Sequence, residues 1–428
     1  MLLTVFLAVL AVMMLAGFPI YLALAGASLS YVALHPDLSM LIAVQKMLNA
    51  PNSFTLLAVP FFIFAGQVMN YGGVTDRIFG FANALIGHYK GGLGYVNVFA
   101  SVLFAGMSGS AIADAGGLGL IEIKAMRDAG YDDDFTIGVT AASSIIGPII
   151  PPSIPFVVYG AVAGVSIGGL FIGGVVPGLL MAAALCAMVY LTAKKRDCRT
   201  LPKLSPAQRW RAFKRAFLSI LTPVIIIGGI WGGFFTPTEA AFVSVVYALG
   251  VTILVYREQR VASLPALALG TLRAVGPAII IVASANVFGW IMNYEKVDVY
   301  LMNVLFSYTT NKYVILLLIN LVLLIMGMFL EVVSAIMIML PLATPIIDQL
   351  GIHPIHFGVV MVLNLMIGLL TPPVGFVLYI LASVANVPVN QVIRTCIPWS
   401  LPLVAVLLLI TYVPELVMFL PRLLGFVS

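Results

Sequence analysis

Charged residues are scarce in this 428-residue sequence: they make up 9% of it, whereas hydrophobic residues make up 62%. A soluble domain carries about 25% charged residues, so this chain has too little polar surface to face water on all sides. The formal net charge of +5 does not indicate a nucleic-acid partner, because no soluble basic face accompanies it. The sequence is therefore better divided into membrane crossings, each of about 20 mainly apolar residues.

The motifs of several function classes are also missing. The cysteines Cys186, Cys198 and Cys396 have neither CxxC nor metal-ligand spacing, which indicates isolated thiols. No Walker A motif occurs, so ATP is not expected as the direct energy source. The HExxH motif of zinc proteases and the GxSxG motif of hydrolases are absent as well. We therefore do not expect an enzyme.

One segment, between residues 193 and 216, is strongly basic. Its nine Lys and Arg residues indicate the cytoplasmic side of the membrane. Threading the apolar stretches outward from it places 17 of the 21 Lys and Arg in the cytoplasm and predicts that both termini are periplasmic. The N-terminal run lacks the basic start of a secretory signal and is expected to remain as the first helix. Residues 205–217 are interpreted as an interfacial helix or, alternatively, as a solvated linker.

The two halves of the chain repeat rare residues at a constant offset. Gly106-Met107 matches Gly327-Met328, and Pro151-Pro152 matches Pro372-Pro373, both shifted by 221 residues. Each half is expected to cross the membrane five times, an odd number, which inverts the second half relative to the first. We predict an all-α polytopic membrane protein with two inverted-topology repeats, a plan typical of secondary transporters.

The repeats set the expected domain boundaries. The first repeat is expected at residues 1–193, the basic linker at 194–215 and the second repeat at 216–428. Each repeat is expected to hold a re-entrant hairpin followed by a broken helix. These lie at about 92–129 and 135–165 in the first repeat, and at about 313–350 and 356–385 in the second.

The proline-rich segments SIIGPIIPPSIP (144–155) and IGLLTPPVG (367–375) are unsuited to continuous helices. Proline removes a backbone donor and clashes with a preceding carbonyl, so these segments are expected to unwind. Unwound backbone is tolerated in a membrane only beside protein or a wet cavity. The freed carbonyls, with the hydroxyls of Ser144, Ser153 and Thr371, favour a small-cation site in each half; a simple proline kink is the alternative.

The glycine- and serine-rich stretch at 104–119 predicts a hairpin that enters partway into the membrane, because small residues allow close packing. Intramembrane acidic residues are candidates for function. Glu331 stands at the position equivalent to Ser110, at the second tip, whereas Asp114 is expected to pin its hairpin rather than to bind an ion. His356 is expected to be an ordinary surface residue of a loop.

Four segments carry a family resemblance: GMSGSAIADAGGLG, PIIPPSIPFVVYG, GFFTPTEAA and IGLLTPPVGFVLY. With them the chain resembles, from about residue 10 to 420, the large membrane subunit of tripartite ATP-independent periplasmic (TRAP) transporters. The resemblance implies sodium-coupled import of an organic acid across the bacterial inner membrane, with an elevator movement of the hairpin-bearing part. It also implies a periplasmic binding protein (P type) and a separate, small four-helix membrane subunit (Q type).

The resemblance also implies site residues. A first Na⁺ site is expected at Ser108, Ser144 and Gly147, and a second at Gly327, Met328, Thr371 and Pro373. The substrate is expected between the hairpin tips, near Ser110, Pro152, Ser153 and Glu331. Sialic acid, another sugar acid and a C4-dicarboxylate all remain candidates.

Other functions stay open at this point. A stand-alone ion-coupled carboxylate carrier would need no binding protein, and a channel would need no exchange between two symmetric conformations. A membrane enzyme is disfavoured, because no nucleophile–base pair or metal constellation stands out.

Overall fold

The computed structural model describes residues 2–194, 200 and 202–427, and within them the chain is helical without a β-strand. Eight helices in this part of the chain are long and apolar enough to cross a membrane. The predicted all-α polytopic fold is therefore confirmed. Cys198 and part of the basic linker lie outside the described residues, and the predicted domain boundaries at 194–215 stay a prediction.

The helices of the first half are, in chain order, Leu2–Leu15, Ile20–Leu34, Met40–Asn49, Ala58–Tyr71, Val74–Ile86, Gly92–Ser108, Ala111–Ala113, Gly119–Asp128, Asp133–Ser144, Ile154–Ala163 and Ile167–Lys194. Short 3₁₀ turns occupy Ala50–Asn52 and Phe54–Leu57, and a π-helical segment occupies Asp114–Leu118.

The helices of the second half are Pro206–Trp231, Pro237–Leu249, Leu264–Tyr294, Val297–Tyr308, Lys312–Phe329, Val332–Gln349, Pro354–Gly368, Phe376–Ala385, Val389–Tyr412 and Glu415–Leu423. A π-helical segment at Gly250–Val255 extends the second of these, and a 3₁₀ turn at Val261–Ser263 precedes the third.

The first hairpin consists of Gly92–Ser108 and the helical run from Ala111 to Asp128. Gly109 makes its turn in the left-handed region, with φ of +58°, where a residue without a Cβ has no steric penalty. Ser110 then caps the returning helix, because its hydroxyl accepts a hydrogen bond from the Ala113 N–H at 3.4 Å. The turn residues therefore follow directly from the Gly-Ser sequence.

The second hairpin consists of Lys312–Phe329 and Val332–Gln349. Leu330 makes its turn in an extended conformation. A carboxylate caps the returning helix here: Glu331 accepts hydrogen bonds from the N–H groups of Val333 at 3.0 Å and Ser334 at 3.3 Å. An acidic cap is favourable at this end because the first N–H groups of a helix have no partner within it.

Each hairpin is followed by a broken helix. The first broken helix ends at Ser144 and resumes at Ile154, where the Ser153 hydroxyl accepts from the Phe156 N–H at 3.2 Å. The second ends at Gly368 and resumes at Phe376, after Gly375 at φ +53°. Both diprolines, within the two unwound segments, contain a cis peptide bond.

Buried amides fasten each hairpin to its broken helix. In the first half, Asn97 donates to Thr140 at 2.7 Å and accepts from Ser143 at 2.6 Å. In the second half, Asn364 donates to the side chain of Asn320 at 2.7 Å and to its carbonyl at 2.9 Å. We call these two sets the polar clasps. Ser143 and Asn364 are themselves 221 residues apart, so the clasps occupy equivalent places.

The two halves also pack through their preceding helices. Pro237–Leu249 lies along Ala58–Tyr71, and Ile20–Leu34 lies along Leu264–Tyr294, so each half supports the other. Leu264–Tyr294 is one continuous helix of 31 residues, which we call the strut. Its counterpart is interrupted by the 3₁₀ turns between Met40–Asn49 and Ala58–Tyr71.

Two local predictions need correction. His356 is not on the surface: it is 2% exposed within Pro354–Gly368, and its Nε2 lies 2.8 Å from the Ile410 carbonyl. The segment after Ser205 is not a separate interfacial helix. It forms the first turns of Pro206–Trp231, since Ser205 and Gln208 make a capping box and Pro206 suits the first helical position.

Candidate substrate and ion sites

A cavity of about 640 Å³ lies between the two hairpin tips and the interior faces of Ala58–Tyr71 and the strut. The first tip contributes Ser108, Gly109 and Ser110, and the second contributes Glu331 with the residues that follow it. Among the described residues that line this cavity, Glu331 is the one charged side chain, and none is a Lys, Arg or His. The remaining polar side chains of the wall are hydroxyls and amides.

The predicted substrate residues divide into two groups. Ser110 and Glu331 line the cavity, whereas Pro152 and Ser153 do not; Pro148, Ile154 and Pro155 take part from the same segment. The chain at Pro152 and Ser153 instead packs against the turn of the first tip. The Ile154 N–H approaches the Gly109 carbonyl at 3.4 Å, and both Pro152 and Ser153 are buried.

The residues predicted for the first Na⁺ site converge where the first tip meets the first unwound segment. The hydroxyl oxygen of Ser108 is buried and has no hydrogen-bond partner in the described part of the chain. Ser144 donates its hydroxyl proton to the Ala141 carbonyl at 2.8 Å, which leaves the oxygen lone pairs free. Gly147 follows, and a Cβ built on it would lie 3.3 Å from the Ser144 carbonyl oxygen.

Asp114 also approaches this region. Its Oδ2 is buried without a hydrogen-bond partner among the described residues and would lie 3.6 Å from a Cβ on Gly147. A buried carboxylate oxygen without a partner is unfavourable unless a proton or cation neutralises it. The oxygen-rich surroundings suit Na⁺, which prefers such ligands as other hard cations do. The residues present therefore fit the expected ion.

The residues predicted for the second Na⁺ site converge in the same way. Gly327 and Gly368 touch through their backbones, so that a Cβ on Gly327 would come within 2.9 Å of the Leu365 carbonyl oxygen. The Met328 carbonyl accepts from the Gly375 N–H at 3.2 Å. The Thr371 hydroxyl donates to the Ile367 carbonyl at 2.9 Å and keeps its lone pairs free, as Ser144 does. Pro373 lies beside this cluster on the exposed side.

Two residues of the cavity wall were not predicted from the sequence. Gln67 and Asn70 lie on Ala58–Tyr71, one turn apart, and both line the cavity. The side-chain Oδ1 of Asn70 accepts from the Thr75 hydroxyl at 2.9 Å. This bond orients the side-chain NH₂ group of Asn70 toward Gly117 of the first hairpin. Gln67 accepts from the Thr271 hydroxyl at 3.1 Å. A pair of amides spaced i, i+3 in an otherwise apolar helix was the available signal.

Comparison with known proteins identifies the family of this fold and site. The profile of the tripartite ATP-independent periplasmic transporter DctM component matches residues 7–416. The chain belongs to this family. It is 46% identical over 411 residues to the sialic acid TRAP transporter large permease protein SiaM of Vibrio cholerae, covering 96% of each chain.

Two further relatives are named for different substrates. The chain is 44% identical to the sialic acid TRAP transporter permease protein SiaT of Haemophilus influenzae, covering 96% of this chain and 67% of that protein. It is 38% identical to the C4-dicarboxylate TRAP transporter large permease protein DctM of Pseudomonas aeruginosa, with 94% of each chain covered. A TRAP permease is a transporter subunit and not an enzyme.

Solved structures share the architecture at low sequence identity. The YdaH transporter of Alcanivorax borkumensis superposes with a TM-score of 0.67 at 15% identity, covering 91% of this chain and 96% of that one. The MtrF protein of Neisseria gonorrhoeae gives a TM-score of 0.59 at 12% identity, covering 87% of this chain and 83% of that one. The permease therefore shares the fold of these two proteins. Its multi-pass placement in the inner membrane follows from the TRAP transporter family.

Proposed function

We propose that this TRAP permease imports an organic acid by sodium-coupled, elevator-type alternating access. The observation that carries the proposal is the chemistry of the central cavity. An anionic substrate would meet one carboxylate, Glu331, and no cationic side chain among the lining residues. Because a buried anion needs compensation, the two oxygen-rich clusters beside the tips are suited to supply it by holding Na⁺.

We infer a sugar acid, with sialic acid as the first candidate. The cavity of about 640 Å³ lies within the range of about 300–1,000 Å³ typical of small-molecule sites. The hydroxyl and amide groups of its wall suit a polyhydroxylated acid. The two relatives at 46% and 44% identity are named as sialic acid transporters, whereas the C4-dicarboxylate relative is at 38%.

Delivery by a periplasmic binding protein and assembly with a small four-helix membrane subunit are part of the proposal. Uptake into proteoliposomes that contain both membrane subunits tests it, with binding proteins preloaded with sialic acid or with a C4-dicarboxylate. We expect uptake only with a loaded sialic acid binding protein and an inward sodium gradient. Uptake that persists without sodium would overturn the coupling. Counterflow by the permease alone would favour a stand-alone carrier, and unitary currents would favour a channel.

The elevator movement has its own test. The moving part would comprise the hairpins and broken helices, which slide against Ala58–Tyr71 and the strut. Gly66 of the former helix faces the first tip: a Cβ there would lie 3.3 Å from the Met107 carbonyl oxygen. A disulfide formed in the double variant Gly66→Cys, Met107→Cys is expected to stop uptake reversibly. Full uptake by the oxidised, cross-linked protein would contradict sliding at this contact.

A further inference from the structure

The permease carries a groove on its surface that is separate from the central cavity. It has a volume of about 640 Å³ and lies between the first hairpin and Ile167–Lys194. Apolar side chains make up most of its wall, with Tyr95, Phe99 and Val102 on the hairpin side and Leu179, Ala182 and Tyr190 opposite. Lys90 is the one charged residue that lines it. A long apolar slot with a cation near one end matches the shape of a lipid.

The end of the groove near Lys90 lies at the cytoplasmic surface. Lys90 belongs to the turn between Val74–Ile86 and the first hairpin, and Gly91 of this turn packs against Ala193, beside the last residue of Ile167–Lys194. That helix leads into the basic segment, which the positive-inside rule places in the cytoplasm. The groove thus runs from the cytoplasmic interface into the hydrocarbon layer.

Further cations surround this end of the groove. The His88 and Tyr89 rings are 4.2 Å apart, so His88 lies next to the groove wall. Desolvation lowers the pKa of the His88 imidazole, and the positive charges of Arg209 and Lys203 lower it further. Phe213, one turn after Arg209, lies 5.6 Å from Phe81 of Val74–Ile86, so the first turns of Pro206–Trp231 pack beside the helix that leads into the turn with Lys90.

Two donors of Arg209 have no partner among the described residues. They are the Nε and Nη2 atoms, and both are buried. Aromatic packing fixes this segment, because Phe213 lies against Trp210 at 5.3 Å and against Phe81 at 5.6 Å. The Arg209 side chain as a whole is partly exposed, and a guanidinium pairs well with phosphate.

We propose that an anionic phospholipid of the cytoplasmic leaflet binds here, with its phosphate near Arg209 and Lys90 and one acyl chain in the groove. A soluble phosphate would use the cations but would have no need of the apolar slot. A neutral lipid would fill the slot but leave the Arg209 donors unpaired. Basic residues next to a membrane segment attract anionic lipids for the same electrostatic reason.

Lipid retention by the full chain tests this proposal. The purified protein is reconstituted in vesicles of mixed phosphatidylcholine and phosphatidylglycerol, re-extracted in detergent, and its bound lipid is quantified by mass spectrometry. We expect phosphatidylglycerol to be enriched, and Arg209→Gln to reduce its retention about tenfold, the scale of one lost charge-assisted pair. The matched control Arg211→Gln removes an exposed charge from the same helix and is expected to change nothing.

The groove is tested separately with Ala182→Trp, which fills its wall without altering charge. Retention is expected to fall in this variant as well, while its elution profile and thermal unfolding remain those of the unaltered protein. Equal retention in the Arg209 and Arg211 variants would overturn the proposal. So would absence of phosphatidylglycerol enrichment, which would instead favour an acidic segment of another subunit as the occupant. Complete displacement by inorganic phosphate would identify a site for soluble anions and would also overturn it.

Discussion

The two hairpin tips occupy equivalent places in the repeat but differ in chemistry and exposure. The first turns at Gly109 and presents hydroxyls, and its Ser108 is 5% exposed. The second turns at an extended Leu330 and presents the Glu331 carboxylate, next to a Phe329 that is 51% exposed. The turns differ in backbone conformation, left-handed at Gly109 and extended at Leu330. The returning helix is capped in both, because a hydroxyl and a carboxylate both accept from the free N–H groups of a helix.

The two unwound segments differ in exposure in the same way as the two tips, since the second is the more exposed. Pro151 and Pro152 are buried, whereas Pro373 is exposed and Phe376 is 37% exposed. Both halves thus have an unwound proline segment, but the first tip is enclosed and presents hydroxyls to the cavity, whereas the second is more open and presents a carboxylate. This asymmetry gives the cavity a donor-rich side and an acceptor side, on which a polyhydroxylated acid can be oriented.

Making the tips chemically alike is expected to have the largest effect. Ser110→Glu would add a second carboxylate to the cavity that Glu331 lines, and two like charges in one cavity repel by on the order of 2 kcal/mol at an effective dielectric constant of 20. We expect the initial rate of sodium-driven uptake to fall about 30-fold. Ser110→Thr keeps the hydroxyl and serves as the control. Equal rates for the two variants would mean that the charge asymmetry of the tips is unimportant.

Two glycines of the ion clusters, Gly327 in the second hairpin and Gly147 in the first unwound segment, sharpen the comparison further. A Cβ on Gly327 would meet the backbone of the second broken helix at 2.9 Å, whereas a Cβ on Gly147 would meet its nearest neighbour only at 3.3 Å. Overpacking a close contact costs about 1–3 kcal/mol. Gly327→Ala is therefore expected to lower the free energy of unfolding by about 2 kcal/mol more than Gly147→Ala. Thermal unfolding in detergent measures this, and equal midpoints would contradict it.

The hydroxyls of the two clusters are expected to act alike. Ser144→Ala together with Thr371→Ala is expected to raise the sodium concentration for half-maximal uptake about tenfold, since an oxygen ligand is lost from each site. The double variant Ser400→Ala, Thr344→Ala removes two hydroxyls that bond to their own helices and is the matched control. An unchanged sodium dependence would show that backbone carbonyls alone hold the ions.

The smallest expected effect is a difference in the free energy of unfolding between variants of the two polar clasps. Asn97→Ala leaves Thr140 and Ser143 with bonds to their own helix carbonyls, whereas Asn364→Ala removes both bonds to Asn320. Hydrogen bonds between membrane helices contribute about 0.6 kcal/mol on average. We expect Asn364→Ala to be more destabilising by about that amount. Thermal unfolding in detergent measures this difference, and a larger destabilisation by Asn97→Ala than by Asn364→Ala would refute the assigned clasp geometry.

Most of the breaks and turns of the backbone can be predicted from the sequence, because glycine and proline determine them. The unwound segments around Pro151-Pro152 and Pro372-Pro373 follow from lost donors, and the Gly109 turn follows from the Gly-Ser run. The helices at Val74–Ile86 and Val297–Tyr308 were not predicted, because they are short and carry polar residues that hide them from a search for apolar stretches. His356 was misplaced because its partner, the Ile410 carbonyl, lies 54 residues away.

The candidate site was only partly predictable. The internal repeat made Glu331 the equivalent of Ser110 at the second tip, and the family resemblance implied that both lie near the substrate; both line the cavity. Gln67 and Asn70 depend on how Ala58–Tyr71 packs against the hairpin, and no local pattern specifies that contact. Pro152 and Ser153 were assigned to the wall, yet they support the tip, because the side chains of Ile154 and Pro155 face the cavity instead.

The strut is longer than the hydrocarbon layer of a membrane is thick. Its 31 residues rise about 46 Å at 1.5 Å per residue, whereas the hydrocarbon layer is about 30 Å thick. A helix this long tilts or extends into the headgroup regions, and its tilt responds to bilayer thickness. Its Gly289 lies against Pro341 of the second hairpin. Membrane thickness can therefore affect that hairpin through one continuous helix, whereas the interrupted helix of the first half offers no such continuous route.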